Sequence, residues 1–138
     1  MIKIIPFKAN HAYCIVENVT KPFIESMESH ERDGDSLTAI YGDKFFCCGG
    51  VKVIWDGVGE VWTVNSSHIK DHPLTFHKLI LQWLRLFTDK YDLDRVQAVV
   101  EATNSMNKKW IESLGFKAEG LMRKYHGGKD YIMYARVR

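Results

Sequence analysis

The stretch from Val96 to Phe116 constrains the fold of this chain more than any other. In residues 96–102 every second side chain is apolar, which predicts a strand with one buried face. Asn104 or Ser105 can then cap a helix, and Gly115 can end it in a left-handed conformation. The apolar positions of that helix are Met106, Trp110, Ile111 and Leu114. This stretch therefore predicts a strand, a helix and a second strand in succession.

A longer amphipathic helix is predicted to begin at Pro73, a residue that suits the first turn of a helix. Its apolar side chains recur at spacings of three and four: Phe76, Leu79, Ile80, Trp83, Leu84, Phe87 and Tyr91. Leu74, Leu81 and Leu86 widen the apolar stripe. We therefore expect other elements to cover both sides of this helix.

The remaining elements follow from local patterns. We predict helices over residues 11–18 and 22–31 and strands over residues 3–8, 37–41, 45–55, 60–64, 116–124 and 131–137. Asp56-Gly57 is a strong hairpin signal, and Gly49-Gly50 inside a strand marks a bulge or a close backbone approach. The order β-α-α-β-β-β-α-β-α-β-β predicts an α/β fold with a mixed sheet of about seven strands flanked by about four helices.

Composition narrows the class of protein. A length of 138 residues favours one domain over residues 1–138. A net charge of +2 is too small to predict nucleic acid as a partner. No apolar run approaches the about 20 residues that span a bilayer, so we expect a cytoplasmic protein without a membrane partner. The number of cysteines is odd, which favours reduced thiols over disulfides at Cys14, Cys47 and Cys48. No spacing of Cys and His residues predicts a metal site.

Asn104, a helix and then Leu114-Gly115-Phe116 resemble the GNAT superfamily of acyl-CoA-dependent N-acyltransferases. The continuation through Glu119-Gly120 to Arg123 is similar to ribosomal-protein acetyltransferases of that superfamily. The resemblance implies that strands 60–64 and 96–102 splay apart and that acetyl-CoA, the cosubstrate, binds between them. Its pyrophosphate would lie at the amino end of the long helix. An amine on a small molecule or a protein would attack the thioester directly, assisted by a base and an acid.

The resemblance implies three catalytic candidates, each with a structural alternative. Glu60 begins the fourth strand and can be a general base or an exposed carboxylate. Glu101 lies near the predicted splay, where it can be a base or a contact for the substrate amine. His68 follows the strand end and can be a base or a solvated loop imidazole.

The cofactor-binding candidates follow from the same resemblance. They are Val64, Asn65, Lys70, His72, Asn104 and Trp110. Asn104 can equally be a helix cap, and a cap can also contact a ligand. His72 can be a cap or an exposed side chain, and Trp110 can be a core aromatic.

The segment before the long helix departs from the family pattern. The family's phosphate loop carries Arg or Gln, two residues, Gly, one residue and then Gly or Ala, whereas residues 69–74 contain no glycine and include Asp71. Ile111 stands near the place of the usual acid tyrosine. Two hypotheses therefore stay open: an N-acetyltransferase, or a protein of this fold that is catalytically degenerate.

A second resemblance links residues 59–116 to short GNAT-like phage proteins, some of them internal virion proteins. Its positions are Gly59-Glu60-Val61-Trp62-Thr63, His72-Pro73, Phe76, Tyr91, Val96, Asn104, Trp110-Ile111 and Leu114-Gly115-Phe116. This resemblance implies a role in virion assembly or host regulation, in the host cytoplasm or the virion. The partner would then be a phage or host protein, or a second copy of the chain.

Overall fold

A computed structural model describes all 138 residues. Its elements are β1 (Ile2–Pro6), α1 (Ala9–Ile15), α2 (Lys21–Asp33), β2 (Asp35–Tyr41), β3 (Lys44–Trp55), β4 (Val58–Asn65), a 3-10 helix (Ser67–Asp71), α3 (Pro73–Lys90), β5 (Arg95–Glu101), α4 (Ser105–Ser113), β6 (Lys117–His126) and β7 (Lys129–Val137). The predicted order is confirmed. The 3-10 helix is an addition, because five polar residues carry too little periodicity to reveal one turn of helix.

The seven strands form one mixed sheet in the order β1-β2-β3-β4-β5-β7-β6. β1, β2 and β3 pair antiparallel, and β7 pairs antiparallel with both β5 and β6. β4 and β5 run parallel, with Glu60 opposite Gln97 at the last pair of their ladder. The predicted α/β fold, with its mixed seven-stranded sheet and four helices, is confirmed.

The contacts between Cα atoms group the chain into two compact units. The first contains Met1–Lys52 and Val61–Arg85, and the second contains Val53–Glu60 and Leu86–Arg138. The single domain predicted for residues 1–138 stays a prediction.

In the first unit, α1 and α2 bury an apolar cluster against the sheet. Its buried members are Phe7, Ala9, Ala12, Met27 and Cys48, and Trp62 and Val64 pack on them. Gly50 confirms the predicted close approach: a Cβ there would lie 2.5 Å from the Asp35 carbonyl oxygen. The irregularity between β2 and β3 lies elsewhere, between Ala39 and Ile40.

The expectation that both sides of α3 are covered is wrong. Leu74 is 76% exposed and Leu86 is 48% exposed, whereas Phe76, Trp83 and Phe87 are buried. Leu74 precedes Phe76 by two residues, so at 3.6 residues per turn it falls on the opposite side of the helix. None of the helices combines the length and the apolar composition needed to cross a membrane.

In the second unit, β5 buries Val96, Ala98 and Val100 on one face, as their alternation predicts. The prediction that Met106 belongs to the apolar face of α4 is wrong, since its side chain is 71% exposed in the first turn of the helix. Gly115 ends α4 with φ +94°, the left-handed conformation that the sequence predicts there.

Candidate functional site

Most of the candidate site residues lie on one continuous stretch of the first unit, residues 64–76, which we call the β4–α3 segment. Its start is fixed by Ser66, whose backbone N–H and hydroxyl both donate to the Phe46 carbonyl oxygen, at 3.0 and 2.8 Å. The 3-10 helix follows, and within it His72 N–H donates to the Ile69 carbonyl at 3.1 Å. The local hydrogen bonds therefore hold the candidate side chains on a fixed backbone.

Two candidate imidazoles come together on this segment. The rings of His68 and His72 lie 5.3 Å apart and nearly perpendicular. Tyr41 of β2 stacks on His72 at 4.2 Å and meets His68 edge-on at 5.8 Å. We call these three side chains the imidazole cluster. Sequence reasoning missed Tyr41, because a residue that is distant along the chain gives no local signal of this contact.

The β4–α3 segment carries one acidic and one basic side chain next to each other. The carboxylate of Asp71 lies 3.5 Å from Nδ1 of His68, and its side chain is 73% exposed. Lys70 carries the opposite charge and is exposed. The formal charges of Lys70 and Asp71 therefore cancel on this segment.

Unpaired polar atoms mark places where a ligand can bind on the segment. Asn65 donates from Nδ2 to the Thr63 hydroxyl at 3.3 Å, but its Oδ1 is buried without a hydrogen-bond partner. A buried acceptor without a donor is costly, by about 1–3 kcal/mol. At the start of α3, Pro73 has no N–H and Phe76 N–H donates to the His72 carbonyl at 3.0 Å. Leu74 and Thr75 are thus the first-turn residues whose N–H groups lack an intrahelical acceptor.

Glu60, in the second unit, lies at one end of a chain of polar side chains. It accepts a hydrogen bond from Nε2 of Gln97 at 3.2 Å, and Gln97 in turn accepts from Arg95 at 2.9 Å. Arg95 makes a two-pronged contact with Glu119, at 2.6 and 3.0 Å, and this hydrogen bonding lowers the pKa of Glu119. Glu60 is therefore half-buried and hydrogen-bonded, unlike the exposed carboxylate that was its structural alternative.

Glu101 and Asn104 lie at the carboxyl end of β5. Glu101 accepts from the Thr103 hydroxyl at 3.2 Å and lies 3.6 Å from the ammonium of Lys129. Asn104 caps α4, since its Oδ1 accepts from Asn107 N–H at 3.0 Å. The cap prediction for Asn104 is confirmed. Trp110 is half-buried on the same helix.

A third imidazole, which the sequence did not single out as a site residue, has a strongly lowered pKa. His30 of α2 stacks on Trp62 of β4, with ring centroids 4.2 Å apart. Burial and the nearby charge of Lys52 lower the pKa of His30 to about 4, so its ring is neutral at pH 7. Its helical spacing with Phe23 and Met27 suggests an inward position, but no sequence pattern pairs it with Trp62.

Solved structures resemble this chain over nearly its full length. An IAA acetyltransferase from Bacillus cereus is 12% identical with a TM-score of 0.80, covering 100% of this chain and 99% of its own. A GNAT family acetyltransferase from Elizabethkingia anophelis, solved with acetyl-CoA bound, is 12% identical with a TM-score of 0.79, covering 99% and 98%. A ribosomal-protein alanine acetyltransferase from Vibrio fischeri is 14% identical with a TM-score of 0.75, covering 99% and 92%.

The fold is that of the GNAT acetyltransferases, as the resemblance in the sequence implied. No protein-family model matches the sequence, and no curated protein matches it. At identities this low, the likeness to solved structures shows the fold.

Proposed function

We propose that this chain is an acetyl-CoA-dependent N-acetyltransferase. One observation carries the proposal: 99% of the chain shares its fold, at a TM-score of 0.79, with an acetyltransferase solved with acetyl-CoA bound. The acceptor would be an amine on a small molecule or a protein. Its lone pair forms a bond to the acetyl carbon, the carbon–sulfur bond breaks, and the amine loses a proton to a base while the thiolate gains one.

The residues of the β4–α3 segment fit the cofactor. Acetyl-CoA supplies the activated acetyl thioester. Buried and unpartnered, Oδ1 of Asn65 can accept a hydrogen bond from an amide of the pantetheine arm. The N–H groups of Leu74 and Thr75 could donate to an anion at the start of α3. Lys70 and His72 add side-chain donors, and Val64 adds apolar contact. For Asn104 and Trp110 the proposal rests on the sequence resemblance alone.

The general base is proposed from the three candidates. Glu60 and Glu101 each have polar neighbours that can orient the carboxyl group, Gln97 for the first and Thr103 with Lys129 for the second. His68 has a carboxylate at its Nδ1, which can orient the ring.

A thermal melt with acetyl-CoA tests this function. A ligand at 100 times its dissociation constant stabilises the folded state by about 2.7 kcal/mol, so the midpoint of unfolding should rise with cofactor concentration. Pantetheine and adenosine diphosphate serve as matched part-ligands. An unchanged midpoint at millimolar acetyl-CoA would remove the enzyme hypothesis.

A second candidate is a protein of this fold without catalysis, and the start of α3 favours it. Pro73 removes one N–H from the helix terminus, and the preceding residues include no glycine that would let backbone approach a phosphate. For this second candidate we propose a role in virion assembly or host regulation. Its partner would be a phage or host protein, or a second copy of the chain. The melt separates the two, since only the first expects stabilisation by acetyl-CoA.

A further inference from the structure

We propose that two copies of this chain associate weakly through the end of β3, where residues 53–55 of each copy pair antiparallel with the same residues of the other. We call residues 53–55 the β3 overhang. In the chain, Lys52 directly precedes it and Asp56 directly follows it. The inference concerns a surface outside the β4–α3 segment, so it does not depend on whether the chain binds acetyl-CoA.

The β3 overhang has a free strand edge. The register between β2 and β3 ends where Asp35 lies opposite Val51, whereas β3 continues to Trp55. β4 lies beside β3 on the other side, and no other strand of the sheet covers the edge that β2 leaves. An uncovered edge presents backbone N–H and C=O groups with which another strand can pair.

The side chains of the β3 overhang are apolar and exposed. Trp55 is 68% exposed, and Val53 and Ile54 are exposed as well. Successive side chains of a strand point to opposite faces of the sheet, so apolar surface is open on both faces here. A second strand along this edge would cover part of that surface on each face. The overhang therefore combines a free backbone edge with side chains that favour strand pairing.

The sequence around the β3 overhang is complementary to itself. Residues 52–56 are Lys-Val-Ile-Trp-Asp, with a basic side chain at one end and an acidic one at the other. In an antiparallel pair centred on Ile54, Lys52 lies opposite Asp56 of the second copy, and Val53 lies opposite Trp55. Opposite charges and aromatic with β-branched side chains are favourable cross-strand pairs. A register centred on any other residue loses the pairing of Lys52 with Asp56.

The charges at the two ends favour a second copy as the occupant of the edge. Neither Lys52 nor Asp56 forms an ion pair within the chain. A second copy supplies the opposite charge to both, and two-fold symmetry makes each contact twice. The assembly closes at two copies, because each overhang is then covered. A different protein would have to match the same order of basic, apolar and acidic side chains.

Sedimentation velocity over a range of protein concentrations tests the inference. The contact is small, so we expect association in the range of about 5 µM to 500 µM, with the mean mass rising towards twice that of one chain. Trp55→Ser removes the largest exposed apolar side chain of the overhang and should weaken association about tenfold or more. Leu121→Ser is the matched control, because Leu121 is an exposed apolar residue on the edge strand β6. It should associate as the wild type does.

Charge exchange tests the register. Lys52→Asp and Asp56→Lys should each weaken association about tenfold or more, because each places like charges opposite one another across the pair. A mixture of the two variants should associate as the wild type does, since every charge then meets its opposite. The double variant, which carries both changes in one chain, should also recover association.

A thermal melt of each variant checks its folding. If Asp56→Lys disturbs the turn at Gly57 and unfolds the chain, Ile54→Lys provides a second test. It changes an exposed side chain and places two ammonium groups opposite each other at the centre of the pair, so it should abolish association.

The possible results separate this inference from its alternatives. A chain that stays monomeric up to about 500 µM would overturn the inference, as would association that persists in Ile54→Lys or is lost in Leu121→Ser. Species larger than a dimer, or a mixture of the two charge variants that does not associate, would overturn the symmetric pairing. The acetyltransferase proposal is tested separately, by the melt with acetyl-CoA.

Discussion

At the scale of single residues, His30 and Trp62 illustrate what burial does to polar side chains. Their rings stack in the first unit, and Nδ1 of His30 and Nε1 of Trp62 are both buried without a hydrogen-bond partner. Burial disfavours a charge on the imidazole, and Lys52 repels it, which lowers the pKa of His30 to about 4. The residue therefore couples stability to pH.

This coupling predicts a loss of stability in acid. The folded pKa of about 4 lies below the ordinary value of 6.5, so between these values the unfolded chain binds more protons. Stability is complete above pH 6.5 and is lost as the pH falls towards 4. From pH 8 to pH 5 this histidine should lower the free energy of unfolding by about 2 kcal/mol. Urea titrations at the two pH values measure the change.

His30→Phe keeps a ring on Trp62 and removes the titration. The variant should lose about 2 kcal/mol of the pH-dependent change, leaving the smaller contribution of His11, whose pKa burial also lowers. His126→Phe, on the exposed end of β6, serves as control and should keep the full dependence. A wild-type pH dependence in His30→Phe would show that the coupling arises elsewhere.

At the scale of elements, the sequence predicted α4 well because a short helix depends on local features. Asn104 provides the N-terminal cap and Gly115 the left-handed end, both as predicted. The 3-10 helix was not predicted, because a single turn is stabilised by its surroundings more than by its own residues. The anchor at Ser66, which donates to Phe46 of β3, is such a surrounding contact.

The cap of α4 gives a prediction at this scale. Asn104→Ala removes the acceptor for Asn107 N–H and should lower the free energy of unfolding by about 1 kcal/mol. Asn104→Asp keeps a capping oxygen and should stay within a few tenths of a kcal/mol of the wild type. Chemical denaturation at pH 7 measures both.

Asn107→Ala is the matched control for the cap. It leaves the backbone donor of residue 107 in place and removes only an exposed side chain, so its stability should be close to that of the wild type. Equal stability of Asn104→Ala and Asn107→Ala would contradict the assignment of Asn104 as a stabilising cap.

At the scale of the whole molecule, the cysteines report how completely the chain folds. Cys47 and Cys48 are fully buried in β3, and Cys14 is exposed on α1. Burial raises the pKa of the Cys48 thiol to about 11 and raises that of Cys47 further. Neither buried sulfur is available as a thiolate in the folded state.

A thiol reagent should therefore modify only Cys14 in the native protein and all three cysteines in denaturant. Mass spectrometry after brief labelling at pH 8 measures the number of modified sites. Cys14→Ser should show no fast labelling in the native state. Fast modification of Cys47 or Cys48 would mean that β3 opens under native conditions, contrary to its complete burial.

Part of the candidate site could be predicted from the sequence, and part could not. The strand end before the β4–α3 segment and the helix that begins at Pro73 were predicted to within a residue, because both are local signals. The role of the segment as a binding site stays a prediction. Tyr41 on His72 and Gln97 on Glu60 were not foreseen. Each of these contacts joins residues that the chain places far apart, and only strand register and helix packing bring them together.

By itself, the sequence determined the order of the elements, the cap at Asn104, the left-handed turn at Gly115 and the alternating burial of β5. These depend on periodicity and backbone chirality, which act over a few residues. Only the tertiary structure decided that Leu74 and Met106 face solvent, that His30 lies against Trp62, and that the two histidines form one cluster with Tyr41. Burial and proximity depend on which distant residues become neighbours, and no local pattern contains that information.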